Sequence, residues 1–119
     1  MKNVLVIDDE ENIVKLIDDG LSMFGFSVEA AYDGKEGLKK VEDKNFDLVI
    51  TDINLPGCSG NDVVEHIRKS SRPDTLVFGI SGEHWELNGH PFDAVFQKPF
   101  SLMGLMKKIK EFFPDSGAK

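Results

Sequence analysis

One cysteine, one tryptophan and one tyrosine are all that this 119-residue chain holds of those three residue types. A lone cysteine cannot close an internal disulfide, so a cross-linked secreted scaffold is excluded and a reducing, cytoplasmic setting is expected. Positive charge is also in deficit. Fourteen Lys and Arg stand against 21 Asp and Glu, a net charge of −7. That balance argues against direct binding of a nucleic-acid backbone by this domain. No apolar run approaches the roughly 20 residues of a membrane span, so no membrane is expected among its partners. The Met1 end turns acidic after the four apolar residues Val4–Ile7, which is not the pattern of a secretory signal. Internal repeats and low-complexity tracts are missing too, and only Pro114 to Lys119 reads as a loose tail. What precedes it, residues 1–113, fits one domain with one real core.

What is present alternates. Val4-Leu5-Val6-Ile7, Leu48-Val49-Ile50 and Leu76-Val77-Phe78-Gly79-Ile80 are short, continuous and largely β-branched. Parallel strands covered on both faces have this composition. Ser27 to Ala31 and Ala94 to Gln97 are weaker strand candidates. Between them, Ile13, Leu16, Ile17, Leu21 and Phe24 fall on one helical face. Asp33 with Glu36 three residues on marks a capping pair for a helix through Leu38 and Val41. Ser59 caps a helix turning Val63, Val64 and Ile67 inward. Ser101 caps another with Leu102, Leu105, Met106, Ile109, Phe112 and Phe113 inward and Lys107, Lys108 and Lys110 outward. The order β-α-β-α-β-α-β-(short)-β-α predicts an α/β fold: a doubly wound, flavodoxin-like, five-stranded parallel sheet. Its fourth helix, between the fourth and fifth strands, is expected to be shortened or missing.

The polar residues at strand ends point to the chemistry. Asp8 and Asp9 follow the first strand, Asp52 ends the third, Ser81 the fourth and Lys98 the fifth. In a doubly wound sheet, ligands bind beyond the carboxyl ends of the strands, where strand order reverses. Three carboxylates gathered there repel one another unless a positive group joins them. A hard divalent cation, magnesium or manganese, meets that need through oxygen ligands. Asp52 is then a candidate nucleophile, since a carboxylate can form an acyl phosphate. Lys98 would supply a point charge and Ser81 a hydroxyl donor to phosphoryl oxygens. Taken singly, each residue has a plainer reading: adjacent aspartates after a strand commonly form a solvated loop, and a lysine before proline commonly marks a turn. The weight comes from five roles falling on one sheet edge.

Ile7-Asp8-Asp9-Glu10, Thr51-Asp52-Ile53-Asn54-Leu55-Pro56-Gly57, Ser81-Gly82 and Gln97-Lys98-Pro99-Phe100 resemble the four signature segments of response-regulator receiver domains of two-component systems. The resemblance covers essentially the whole chain. It implies phosphorylation of Asp52 by a sensor histidine kinase or a phosphotransfer protein, and control of a downstream effector or fused domain. It also implies that Asp9, Asp52 and the main-chain carbonyl of Asn54 bind magnesium directly, with Asp8 acting through water. The Gly82 amide would join Ser81 on the phosphoryl group, and the Lys98–Pro99 bond would be cis. Asn54 and Glu83 resemble the pair that tunes self-dephosphorylation in short-lived, chemotaxis-type single-domain regulators. No separate substrate is expected, so the chain is read as a signalling domain and not as an enzyme.

Three departures accompany the resemblance. Ser81 and Lys98 are closer in sequence than is usual, and Asn88-Gly89-His90-Pro91 is a poor helix sequence. Val95 stands where receivers commonly carry a Tyr or Phe that swings inward, and Phe96 should face the other side of its strand. Gly82 replaces a commoner alanine, a sterically harmless change. The output surface is therefore expected to centre on Gly82 to Phe92, with Trp85 packed over the shortened loop. Cys58, in the loop after Asp52, reads as an ordinary exposed cysteine rather than a redox-sensitive thiol, and His66, His84 and His90 lack metal-ligand spacing. Two other readings share part of this pattern: a degenerate receiver acting as a phosphorylation-independent scaffold, and an aspartate-based phosphatase. The second requires two aspartates one residue apart after the first strand, whereas Asp8 and Asp9 are adjacent.

Overall fold

The continuous apolar runs become the strands of a single sheet. The computed structural model describes residues 2–55, 57–82 and 91–114. Its strands are β1 (Asn3–Ile7), β2 (Ser27–Ala31), β3 (Leu48–Asp52), β4 (Leu76–Ser81) and β5 (Ala94–Gln97). Every pairing is parallel and the order is β2-β1-β3-β4-β5. The helices are α1 (Glu11–Met23), α2 (Gly34–Asp43), α3 (Gly60–Arg68) and α4 (Leu102–Phe112). None of these is long and apolar enough to cross a membrane.

Because side chains alternate along a strand, the sheet feeds two cores. Val4, Val6, Ile50, Phe78 and Ile80 pack with α1 and α4 on one face. Leu5, Ile7, Val49 and Val77 pack with α2 and α3 on the other. β5 alternates in the same way. Val95 turns to the α2/α3 side, while Phe96 turns to the α1/α4 side with its ring 5.9 Å from that of Phe78.

The helix starts are held as the sequence suggests. The Asp33 carboxylate accepts from the Glu36 N–H at 2.7 Å, and the Ser101 hydroxyl accepts from the Gly104 N–H at 3.1 Å. Ser59 and Asp62 form a reciprocal capping box at the start of α3. One inward assignment is corrected. Leu16 is 42% exposed, while Val14, Ile17, Gly20 and Leu21 form the buried face of α1. Leu16 sits about 100° round the helix from Ile17, which puts it on the flank of the stripe. Phe112 is also exposed at 40%, yet its ring lies 5.6 Å from Phe78. Lys110, expected to face outward, sets its ammonium 4.7 Å over the Phe24 ring.

Among the described residues no helix lies between β4 and β5, in keeping with a shortened or missing fourth helix. The expectations for Glu83, His84, Trp85 and His90 fall outside the described residues, as does the tail beyond Pro114.

Candidate functional site

The site lies where the strand order reverses. The chain leaves β1 for the outer strand β2 and returns on the opposite side of β1 as β3. The carboxyl ends of β1 and β3 are therefore neighbours, with their connections diverging to opposite faces. Asp8 and Asp9 come off β1, and Asp52 is the last residue of β3. One carboxylate oxygen from each lies within 4.8 Å of the others. Asp8 is 1% exposed and Asp52 5%, while Asp9 is exposed.

Each buried oxygen has a defined environment. Asp8 Oδ1 accepts from the Glu10 N–H at 2.8 Å. Asp8 Oδ2 lies 3.1 Å from Lys98 Nζ, at ion-pair distance but without an aligned hydrogen bond. Asp52 Oδ1 accepts from the Asn54 N–H at 3.0 Å, and Asp52 Oδ2 accepts from Lys98 Nζ at 3.3 Å. A third carboxylate, Glu10, takes Lys98 Nζ at 3.0 Å. Burial pushes the Asp8 carboxyl above the usual range, and the nearby Asp52 charge adds to this. The Glu10 N–H and the Lys98 ammonium pull the other way without cancelling it. For Lys98, burial works against the charge but is outweighed by the Glu10 hydrogen bond, the close Asp8 contact and the Asp8 and Asp52 charges, so its ammonium is held above the ordinary lysine range. One ammonium thus serves three acids.

That residual frustration tests whether a cation fits. The donors are hard carboxylate oxygens, two buried and one open to solvent, and Asp8 Oδ2 is a buried acceptor without a hydrogen bond. Such a set suits magnesium or manganese, which accept oxygen ligands and keep waters on their open side.

Ser81 and Lys98 are brought to the same place by the sheet. Ser81 pairs with Gln97 across the β4–β5 ladder, and the Lys98 N–H donates to the Ser81 carbonyl at 2.7 Å. Asn54 Nδ2 donates to Ser81 Oγ at 3.4 Å, tying the turn after β3 to the end of β4. Gly82 is exposed, and a Cβ there would meet nothing within 4 Å, so the glycine is as harmless as expected. The Lys98–Pro99 bond is cis. Cys58 is half-buried, and burial with Asp62 and Asp33 pushes its thiol up, which disfavours the reactive thiolate.

Two contributors escaped the sequence reading. Glu10 closes the segment Ile7-Asp8-Asp9-Glu10 without a role of its own in the sequence, and nothing local signals its reach to a lysine 88 positions away. Gly60 follows the Ser59 cap, and a Cβ there would lie 2.6 Å from the Asp52 carbonyl oxygen and 2.8 Å from Ile53 Cα. Only glycine lets α3 begin against the backbone that carries Asp52.

Comparison with known proteins agrees with this arrangement. The sequence profile of the response regulator receiver domain matches residues 4–110. The response regulator ArlR of Staphylococcus haemolyticus is 29% identical over 113 residues, covering 92% of this chain and 52% of that protein. The chain thus spans about half the length of such curated relatives. A CheY-like receiver domain from Methanospirillum hungatei superposes with a TM-score of 0.86 at 30% identity, covering 97% of this chain and 95% of the other. The response regulator TrrA of Thermotoga maritima, solved with Mg(2+)-BeF, gives a TM-score of 0.83 at 36% identity over 93% of this chain and 98% of its own.

Proposed function

The chain belongs to the response regulator receiver domain family, and from that premise we propose that Asp52 accepts a phosphoryl group from a sensor histidine kinase or phosphotransfer protein. Signalling by phosphorylation of an aspartate is the general function of this family. The observation that carries the assignment is the convergence of Asp8, Asp9 and Asp52 within 4.8 Å, with Lys98 Nζ 3.3 Å from Asp52 Oδ2. Asp52 ends β3 beside Ser81, the Asn54 N–H donates to its Oδ1 and Lys98 Nζ to its Oδ2, so phosphoryl-binding groups surround it.

In this reading a carboxylate oxygen of Asp52 attacks phosphorus in line. The bond from phosphorus to the donor nitrogen breaks, its electron pair stays on that nitrogen, and an acyl phosphate forms on Asp52. Lys98 and Ser81, with the Gly82 amide, take the phosphoryl oxygens. Asp9, Asp52 and the Asn54 carbonyl would hold a magnesium or manganese ion, with Asp8 acting through water. Such an ion, when bound, neutralises charge on the phosphoryl and carboxylate oxygens. Asn54, exposed beside Ser81, is placed to orient a hydrolytic water, a role shared with Glu83 in this proposal. The added charge, roughly −1.5 to −2, draws the Ser81 and Lys98 loops inward and biases the Gly82–Phe92 segment that contacts the effector.

The test uses acetyl phosphate as a small phosphodonor, with magnesium, followed by peptide mapping. One added phosphoryl mass is expected on the peptide carrying Asp52, lost on chelation and lost in Asp52→Asn. Labelling elsewhere overturns the assignment. No labelling of the wild type by this donor or by a histidine kinase favours the scaffold reading.

A further inference from the structure

We propose that Glu10 is a positioning residue that holds the Lys98 ammonium over the carboxylate pair before phosphoryl transfer and competes with the phosphoryl group for it afterwards. The inference rests on the assignment of Asp52 as acceptor. Nothing in that assignment gives Glu10 a role.

Two features of Glu10 point to Lys98. It occupies the N-cap of α1, where Ser, Thr, Asp or Asn ordinarily accepts from the N–H groups of the first turn. Its side chain makes no such bond. The carboxylate reaches across the cleft instead, with Oε2 3.0 Å from Lys98 Nζ, the shortest of the three Lys98 ion pairs. Meanwhile the Glu10 backbone N–H donates to Asp8 Oδ1 at 2.8 Å, so main chain and side chain engage two members of the same cluster.

The three carboxylates around Lys98 differ in how readily they let go. An ammonium has three N–H donors, and Asp8, Asp52 and Glu10 stand around it. Asp8 and Asp52 have side-chain exposures of 1% and 7%, so breaking either pair strands a buried charge. Glu10 is 57% exposed, and its carboxylate can turn into water at little cost. A phosphoryl oxygen arriving on Asp52 therefore displaces Glu10 most easily. Asp8, Asp9 and Asp52 also form the cation cluster, so Glu10 is the Lys98 partner that a bound cation does not claim. The exposed pair stabilises the unphosphorylated arrangement by a small amount, and its loss favours the phosphorylated one by the same factor.

The experiment measures binding of beryllofluoride, a phosphoryl mimic, by intrinsic fluorescence or NMR at saturating magnesium. It compares wild type, Glu10→Gln, Glu10→Asp and Asp52→Asn. The expected result is affinity roughly 2- to 5-fold tighter for both Glu10 variants, the range of an exposed ion pair. Glu10→Asp separates the mechanisms, because it keeps the charge but shortens the reach by one methylene. Simple repulsion of the incoming anion predicts wild-type behaviour for Glu10→Asp, and that result overturns the proposal. Aspartate is a strong N-cap residue, so this variant keeps the fold even if Glu10→Gln does not. A metal-free readout is the Lys98 ammonium signal in 15N-edited NMR. The proposal expects it to be slowed in proton exchange in the wild type and accelerated in both variants; no difference overturns it. Weaker or unchanged binding in both variants, with Asp52→Asn unable to bind, overturns the role of Glu10 and leaves the acceptor assignment intact. A wild type that binds no beryllofluoride overturns both.

Discussion

The two faces of the sheet solve the same packing problem by different means. On the α1/α4 face the space is filled by rings: Phe78 packs between Phe96 and Phe112, and Phe26 meets Phe113 edge-on at 6.4 Å. On the α2/α3 face the helices instead come close to the sheet and its loops through glycines. Gly37 of α2 lies against Ile7, Gly34 against the backbone of Cys58, and Gly60 of α3 against the backbone of Asp52 and Ile53. Aromatic packing gives area and tolerates adjustment, since rings and methionines can shift. Where Gly34 and Gly60 meet backbone, the contact cannot give way without moving the loop it touches. The ring-packed face therefore supplies bulk stability, and the glycine-packed face supplies the position of the site.

The strongest challenge to this contrast is Phe78→Ala. Phe78 is fully buried, and its truncation is expected to cost about 3–5 kcal/mol in urea unfolding. At temperatures where the variant is folded, its phosphorylation rate with acetyl phosphate should match the wild type. A fall in that rate would break the contrast. Gly60→Ala should behave in the opposite way. The new methyl meets backbone, with an expected cost of about 1–3 kcal/mol. Displacement of the Asp52 strand end should slow phosphorylation by roughly 10- to 100-fold, since misplacement by about 1 Å suffices for that. A stable variant with wild-type kinetics would show that the approach of α3 has no bearing on the site. The smallest effect sharpens the comparison on the glycine-packed side. Glu29 on β2 pairs with Lys40 and Lys44 of the α2 region, and the Lys44 hydrogen bond holds its carboxyl below the usual range. A depressed carboxyl stabilises the fold above its ordinary pKa, and that contribution is lost as pH falls through the depressed value. Glu29→Gln should cost at most about 1 kcal/mol at neutral pH, less in high salt, and nothing once the pH is below the depressed value. A larger or pH-independent loss would mean that the side chain matters through packing.

Much of this was legible in the chain itself, for reasons that differ by element. β1, β3 and β4 announce themselves because strands covered on both faces need apolar residues at every position. Asp33, Ser59 and Ser101 could be named as caps because a cap is a local hydrogen bond spanning three residues. Asp8, Asp9, Asp52, Ser81 and Lys98 could be gathered because a parallel sheet brings all its strand ends to one edge. What escaped depends on distance in space and on shape. Glu10 and Lys98 meet only because one side chain crosses the cleft. Leu16 looks like its neighbours in a list of apolar residues, and only the angular centre of the stripe, set by Val14, Ile17 and Leu21, places it outside. Gly60 is silent in sequence because its role is the absence of a methyl group.

The ladder between β4 and β5 separates two properties that the linear chain seems to join. Ser81 and Lys98 are registered by the Ser81–Gln97 pairing and by the bond from the Lys98 N–H to the Ser81 carbonyl. Their spacing in the folded molecule is thus set by the sheet and not by how many residues intervene, and changing the length of a connection is energetically mild. A one-residue insertion in that connection is thus expected to leave the Lys98 N–H bonded to the Ser81 carbonyl, because the paired strands hold that contact.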